Sequence, residues 1–554
     1  MKKFLYLLCL CYFIMFIMNV NLSAQENPGR VRFEITFPSS VHPEPITGRV
    51  YVMISRNDRR EPRFQIGRTG VPFFGVDVER LRPGQPAVID ETVLGSPVES
   101  LKDIPPGDYY VQGFINIYTE FHRSDGYVVW LHNDQWEGQR WRISPGNIYS
   151  DVMKVHLDSK KGYVIKIEAE NVIPPVKVPP DTKWVKRIKF QSKLLTKFWG
   201  RPIYLGATIL LPKGYDENPA LYYPVDYIQG HFSLRAPYGF TTEKPEPGNR
   251  WAMRGYEFYK SWISDKFPRM ILVTFQHPCP YFDDSYAVNS ANCGPYGDAI
   301  MTELIPYIEK NFRIIRKPYA RILEGGSTGG WESLALQIFH PDFFGGCFSY
   351  CPDPVDFRDV EAVNIYKDKN AYYREYEWRR VVTPNCRRPD GSLILTSKQR
   401  NYFELVCGTK GRSGEQWDIW MAVFGPVGED GYTKPLFNKV TGEIDPSVAQ
   451  YWKEHYDLRY YLEKNWSTIG PKLIGKLHIF TGDMDTYYLN NAVHMLQDFM
   501  EQTQNPHYTG FFWYAPRKPH CWAGPFTPAE RIKFFATHIA KNTPPDIGTP
   551  WWRY

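Results

Sequence analysis

The sequence predicts an α/β fold with a mostly parallel, doubly wound sheet, preceded by an all-β sandwich. Past Trp184, apolar strand-like runs (YPVDYIQ, MILVTFQ, ARILEGG, GGCFSYC, KLHIFTG, TGFFWYA) alternate with helical stretches near 251–263, 298–312, 331–339, 490–502 and 529–541. Strands alternating with helices of that length imply parallel pairing with helices on both faces. Before that point the pattern is different: short alternating runs such as RVRFEITF, GRVYVMISR and DYYVQGFINIY are separated by turn residues, as in a sandwich. Between the two regions, NVIPPVKVPPD places four prolines in eleven residues and marks a linker.

Residues 1–24 carry Lys2 and Lys3, an apolar stretch from Phe4 to Met18, and Leu22, Ser23 and Ala24 before Gln25. This is the layout of a secretory signal peptide, and it predicts export to the periplasm or the extracellular space. The apolar stretch is short for a membrane span, and no later segment is long enough, so no span is expected once the signal is removed. Cleavage removes two lysines and takes the formal charge from +6 to +4, a balance that argues against a nucleic-acid partner. The basic run from Lys183 to Arg201 alternates with apolar residues and suits a strand with one solvated face. Of nine cysteines, Cys9 and Cys11 fall in the signal. Seven remain, an odd number that leaves at least one unpaired, with Cys279 and Cys293 the expected local bridge and no Cys/His spacing of a zinc site.

The sandwich is expected over 26–170, closed by a hairpin of VMKVHLD and YVIKIEA around the turn 159–162. The linker takes 171–183 and the α/β domain 184–554. Within that domain, about 357–475 is rich in Tyr, Trp, Arg and Asn with little periodicity before Ser447, which reads as an insertion hung over the carboxyl edge of the sheet. Aromatic residues make up 16% of the chain, enough to line a sugar-stacking surface as well as a core.

Chemistry is concentrated at EGGSTGGWE. Gly325, Ser327 and Gly329 form Gly-x-Ser-x-Gly directly after the run Ala320 to Leu323 and before a helix-forming stretch that ends at Pro341. A serine hydroxyl becomes a competent nucleophile when a sharp strand-to-helix turn exposes it to a base, and flanking glycines permit that turn. This elbow resembles that of the α/β-hydrolases, where nucleophile, acid and histidine follow in that chain order. Four histidines follow KLHIFTG: His494 and His538 fall in helices, His507 precedes the last strand, and His520 lies in the loop after it, where a base reaches the serine. For the acid, GDMD offers Asp485, carried past the strand end, and Asp483; Asp353 and Asp356 follow an earlier strand that some hydrolases use. Oxyanion donors are expected from the backbone of Thr328 and from His231 or Phe232, after Gly230.

Taken together, FWGRPIYLGATILLPKGYDENPALYYPV leading to QGHF, DAIMTELIPYIEKNFRI, GGSTGGWESLALQIFHPDFFGGCFSYCP, GDMDTYYLNNA and PHCW resemble the esterase D-like family of α/β-hydrolases. That family includes the feruloyl and acetylxylan esterases of carbohydrate esterase family 1 and the enterochelin esterases. By matching positions, the resemblance implies Ser327 as nucleophile, Asp485 as acid, His520 as base and the QGHF loop as oxyanion contributor. The chain departs from the family pattern at Gln229, Gly230 and His231 where His-Gly is usual, at Asp226 within a strand, at Lys518 and Pro519, and in the long insertion. The expectation is an exported serine esterase acting on a feruloyl or acetyl ester of a plant-type polysaccharide or oligosaccharide, with no metal or organic cofactor. Hydrolysis of a siderophore or other small ester, acyl transfer on the same fold, and glycan binding without catalysis are the alternative expectations.

Overall fold

The computed structural model describes residues 29–548, so the predicted signal, with Cys9 and Cys11, lies outside the described residues. The chain divides into two compact units. The first comprises the described residues up to Ile117 together with Gly146–Ile173; the second comprises Tyr118–Pro145 and everything from Pro174.

The first unit is all β. Strand Val31–Thr36 pairs in parallel with Tyr163–Glu168 and antiparallel with Ala87–Asp90, while Ile46–Ser55 runs antiparallel between Phe73–Leu81 and the strand that begins at Gly107. Val31, Phe33 and Ile35 alternate inward, the period-2 burial of a strand with one dry face, and share one apolar core with Val50, Val52 and Ile54 of the other sheet, a strand buried on both faces. The expected hairpin around 159–162 is corrected: Met153–Leu157 joins Gly107–His122 in the larger sheet, whereas Tyr163–Glu168 joins Val31–Thr36 in the smaller one. The turn therefore carries the chain from one sheet to the other. Alternation is the same on either side of such a turn, so the pattern alone does not separate the two cases.

The second unit is built on an eight-stranded sheet whose strands are β1 (Val185–Ser192), β2 (Ile203–Leu210), β3 (Val225–Gln229), β4 (Ile271–Gln276), β5 (Arg321–Gly326), β6 (Gly346–Tyr350), β7 (Leu477–Gly482) and β8 (Phe511–Ala515). Their spatial order is β1-β2-β4-β3-β5-β6-β7-β8. Strand β2 is antiparallel to both neighbours, and every pairing from β4 to β8 is parallel. This is the α/β-hydrolase sheet, with the order reversing around β3 and β4. All residues of β6 and β7 are buried, so helices and the insertion cover both faces. The principal helices are α1 (Arg250–Trp262), α2 (Thr328–Phe339), α3 (Asn490–Gln502) and α4 (Pro528–Asn542).

Between β6 and β7 the aromatic segment is fully structured. It holds hairpins Tyr373–Tyr376/Arg379–Val382 and Pro384–Arg387/Leu393–Thr396, and helices Ser397–Cys407, Gln416–Phe424, Pro446–His455 and Leu458–Leu473. Helix Gln416–Phe424 is buried at every position after Gln416, including Trp417 and Trp420. A helix dry on all sides shows no amphipathic period, which is why the sequence reads as irregular there.

Asp226, the polar interruption of β3, also acquires an account. Its carboxyl is fully buried beside Glu324 of β5, which accepts hydrogen bonds from Tyr238 Oη and, at 3.2 Å, from Arg531. Burial and then the Glu324 charge push the Asp226 pKa well above its ordinary value.

Candidate active site

Ser327 occupies the turn between β5 and α2 with φ 58° and ψ −123°, a conformation that costs a non-glycine residue roughly 1–3 kcal/mol. The turn is held from both sides: Ser327 N–H donates to Tyr350 O at 2.9 Å, and Ser327 O accepts from Asp353, Gly330 and Trp331. Gly329 is required because a Cβ there would lie 2.2 Å from Gln229 O, and one at Gly325 would lie 2.3 Å from Gly329 O. The end of β3 thus packs directly on the elbow and delivers the loop 230–232 to it.

The Oγ of Ser327 is 2.8 Å from His520 Nε2, and His520 Nδ1 is 2.7 Å from Asp485 Oδ2. Residues from β5, β7 and β8 meet here because parallel strands present their carboxyl ends on one edge. Asp485 is fully buried, and its other oxygen accepts the Tyr487 N–H at 2.9 Å. Burial opposes the His520 cation, but the charge and hydrogen bond of Asp485 hold its pKa well above the ordinary histidine value. Gly482 allows the β8 loop to close on this carboxylate, since a Cβ there would meet Lys518 O at 2.1 Å.

Apart from Asp353, the other carboxylates and histidines of these loops and helices lie elsewhere. Asp483 accepts from Arg517 N–H and ties down the β8 loop. Asp356 pairs with Arg358 and Arg459. His494 stacks on Tyr514, His507 bonds Thr503 O, and His538 bonds Gly345 O. Asp353 is at the site but beside the serine: its Oδ1 is 3.3 Å from Ser327 Oγ, while its Oδ2 accepts from Tyr286 Oη at 2.5 Å, Thr328 Oγ1 at 3.0 Å and Gln416 Nε2 at 3.1 Å. Burial raises the Asp353 pKa, against the lowering effect of these donors.

Thr328 is buried as the first residue of α2, where the opening N–H groups have no partner within the helix. Gly230 has φ 148°, a backbone setting suited to glycine. His231 turns its ring to Asp283 at 2.9 Å and Asp284 at 3.2 Å, and although burial opposes its charge these carboxylates hold its pKa well above the ordinary value. Phe232 is buried against Trp136, with ring centroids 5.1 Å apart.

Several site residues escape sequence reasoning. Tyr286, Gln416 and Trp420 form one hydrogen-bonded cluster with Asp353, yet come from the β4 loop and the insertion. Arg387, also in the insertion, donates to Asp485 O at 2.9 Å and to Asn490 Oδ1 at 2.9 Å. Trp136 arrives from Tyr118–Pro145. No local motif marks these positions, because each is defined only by what the fold puts next to it.

Residues 205–398 match the family described as "Putative esterase", the esterase D-like group that the sequence resembles. No curated protein matches the chain. Among solved structures, a ferulic acid esterase is 16% identical, with 64% of this chain and 99% of that one covered and a TM-score of 0.35. An S-formylglutathione hydrolase from Agrobacterium tumefaciens is 12% identical, with coverage of 65% and 98% and a TM-score of 0.34. A CE1 ferulic acid esterase from Anaeromyces mucronatus, in complex with ferulic acid, is 14% identical, with coverage of 66% and 94% and a TM-score of 0.27.

Proposed function

We propose that this chain, a carboxylic ester hydrolase by the family its residues 205–398 match, is an exported serine esterase that uses Ser327 as nucleophile, His520 as general base and Asp485 as the acid that orients it. The observation that carries the reading is the continuous hydrogen-bonded run from Ser327 Oγ through His520 to Asp485, at 2.8 and 2.7 Å, starting from a serine on a strained turn. His520 Nε2 takes the hydroxyl proton as Oγ attacks the ester carbonyl, and Asp485 stabilises the imidazolium. The backbone N–H of Thr328 and those of His231 and Phe232 would receive the oxyanion, each donor contributing about 2.7–4 kcal/mol. Collapse expels the alcohol, which collects the proton from His520. Water then repeats the sequence on the acyl enzyme and frees the acid.

For the substrate, a feruloyl or acetyl ester on a plant-type polysaccharide or oligosaccharide fits best. Exposed rings support it: Trp378, at the tip of an insertion hairpin, is 88% exposed, and Trp251 and Trp513 are half exposed. Such rings stack on sugars. In the same proposal the N-terminal sandwich contributes to polymer binding, and the signal sequence 1–24 directs export. Among the described residues, no helix is long and apolar enough to cross a membrane.

The test is turnover of p-nitrophenyl acetate, methyl ferulate, feruloylated and acetylated oligosaccharides and a catecholate siderophore by the purified mature protein. Preferred cleavage of a sugar ester, abolished in Ser327→Ala, is expected. Undiminished activity in that variant removes Ser327 from the chemistry, and preference for the siderophore overturns the substrate class.

A further inference from the structure

Two cysteines converge on His520 from different parts of the fold. Cys351 follows β6 directly, and Cys521 follows His520 in the loop after β8. One ligand-capable atom of each of the three residues, the two Sγ atoms and a ring nitrogen, lies within 4.8 Å of the other two. Cys351 is fully buried and Cys521 is exposed, so the cluster has a closed inner wall and an open outer side. Both cysteines have left-handed backbones, with φ 37° and 63°. Such conformations persist where the surroundings over-determine them, and they concentrate at functional sites.

Two chemistries can join these sulfurs. Zinc bonds to sulfur and nitrogen of about 2.3 and 2.0–2.1 Å in a tetrahedral shell put neighbouring ligand atoms roughly 3.5–3.8 Å apart. A disulfide requires the sulfurs at about 2.05 Å. Ligand-capable atoms of the three residues within 4.8 Å of one another are near enough for one cation to bridge them, and a cation, unlike a disulfide, takes the imidazole into its shell as well.

We propose that Cys351, Cys521 and His520 bind a thiophilic divalent cation, with Zn2+ as its representative, and that occupancy switches the esterase off. The inhibitory half of the proposal rests on His520 being the general base. Both ring nitrogens already have partners, Asp485 on Nδ1 and Ser327 on Nε2, so a cation that takes either one breaks the run. Each thiol gives its proton to solvent on binding, and the fourth coordination position stays open toward water. The cation is an inhibitor here and takes no part in ester cleavage.

The experiment titrates Zn2+ into chelator-treated, full-length mature protein while p-nitrophenyl acetate turnover is followed, with Co2+ as a spectroscopic substitute reporting thiolate-to-metal charge transfer. One Zn2+ per chain and a fall in kcat of about 100-fold or more, reversed by EDTA, are expected. Cys351→Ser and Cys521→Ser should keep turnover, resist the same Zn2+ concentration and lose the Co2+ band, with melting temperatures verifying that they fold. Ser327→Ala should retain the band, so the site is read independently of the esterase assignment. Equal inhibition of both cysteine variants, which would place the cation elsewhere, overturns the proposal. So does absence of the thiolate band in the native protein, or a linked Cys351–Cys521 peptide found by mass spectrometry in place of free thiols.

Discussion

Asp353 Oδ1 stands 3.3 Å from Ser327 Oγ, on the serine side of the site, while Asp485 holds Nδ1 of His520 on the far side of the imidazole. One buried carboxyl therefore contacts the hydroxyl and the other the imidazole. Asp485→Asn should lower kcat by about 10⁴-fold, the loss seen when a triad carboxylate stops fixing the tautomer. Asp353→Asn keeps an acceptor for Tyr286, Thr328 and Gln416 and should cost about tenfold or less. Steady-state kinetics on both variants with one ester substrate decides this, and a larger loss for Asp353→Asn would exchange their roles.

The pH profile follows from the same contact. A general base works when neutral, and Asp485 holds the His520 pKa above the ordinary 6.5 despite burial. The acidic limb of kcat/KM should therefore fall above pH 6.5. In Asp485→Asn it should move to lower pH, because the neutral amide no longer favours the cation. A limb that stays fixed in this variant would remove Asp485 as its cause.

Strain at the elbow should be measurable as stability. Ser327→Gly relieves the positive φ and should stabilise the fold by about 1–2 kcal/mol in denaturant unfolding while abolishing turnover. Unchanged or lowered stability would mean that the turn is unstrained.

Asp226 offers a pH test of the core. Its folded pKa is raised by burial and by Glu324, so the native state binds a proton that the unfolded state releases near its ordinary 3.8. Stability from this group is thus present at low pH and is lost as pH rises from 3.8 toward the raised folded value. Asp226→Asn should flatten the decline above pH 4 in equilibrium unfolding, and a decline identical to wild type would assign it to other groups.

Arg387 should act through the acid loop, since its guanidinium fixes the carbonyl of Asp485. Arg387→Ala is expected to reduce kcat/KM by about tenfold, about 1.4 kcal/mol, on every ester alike. A loss confined to one substrate would make Arg387 a substrate contact instead.

The catalytic domain was largely legible from local pattern. Strand and helix periods record one-sided or two-sided burial, and Gly-x-Ser-x-Gly, GDMD and PHCW follow a chain order dictated by parallel strands opening on a common edge. His520 could be separated from His494, His507 and His538 on position alone, and the structure seats those three against Tyr514, Thr503 and Gly345. The wrong hairpin at 159–162 and the unread helix Gln416–Phe424 share one cause: alternation does not name a strand's partner, and a helix buried all round has no polar face.

By itself, then, the sequence determined the sheet-and-helix class of the catalytic domain and the three residues most worth placing together, because backbone preference, periodicity and chain order are local properties of the polymer. Only the tertiary structure decided that Asp353 faces the serine, that Gln416 and Arg387 reach in from the insertion, that Asp226 shares its burial with Glu324, and that Cys351 stands beside His520 and Cys521. Those relationships join residues up to 170 positions apart, and contacts of that span leave no period or spacing behind; they exist once the parallel strands β3 and β5 to β8 lie side by side.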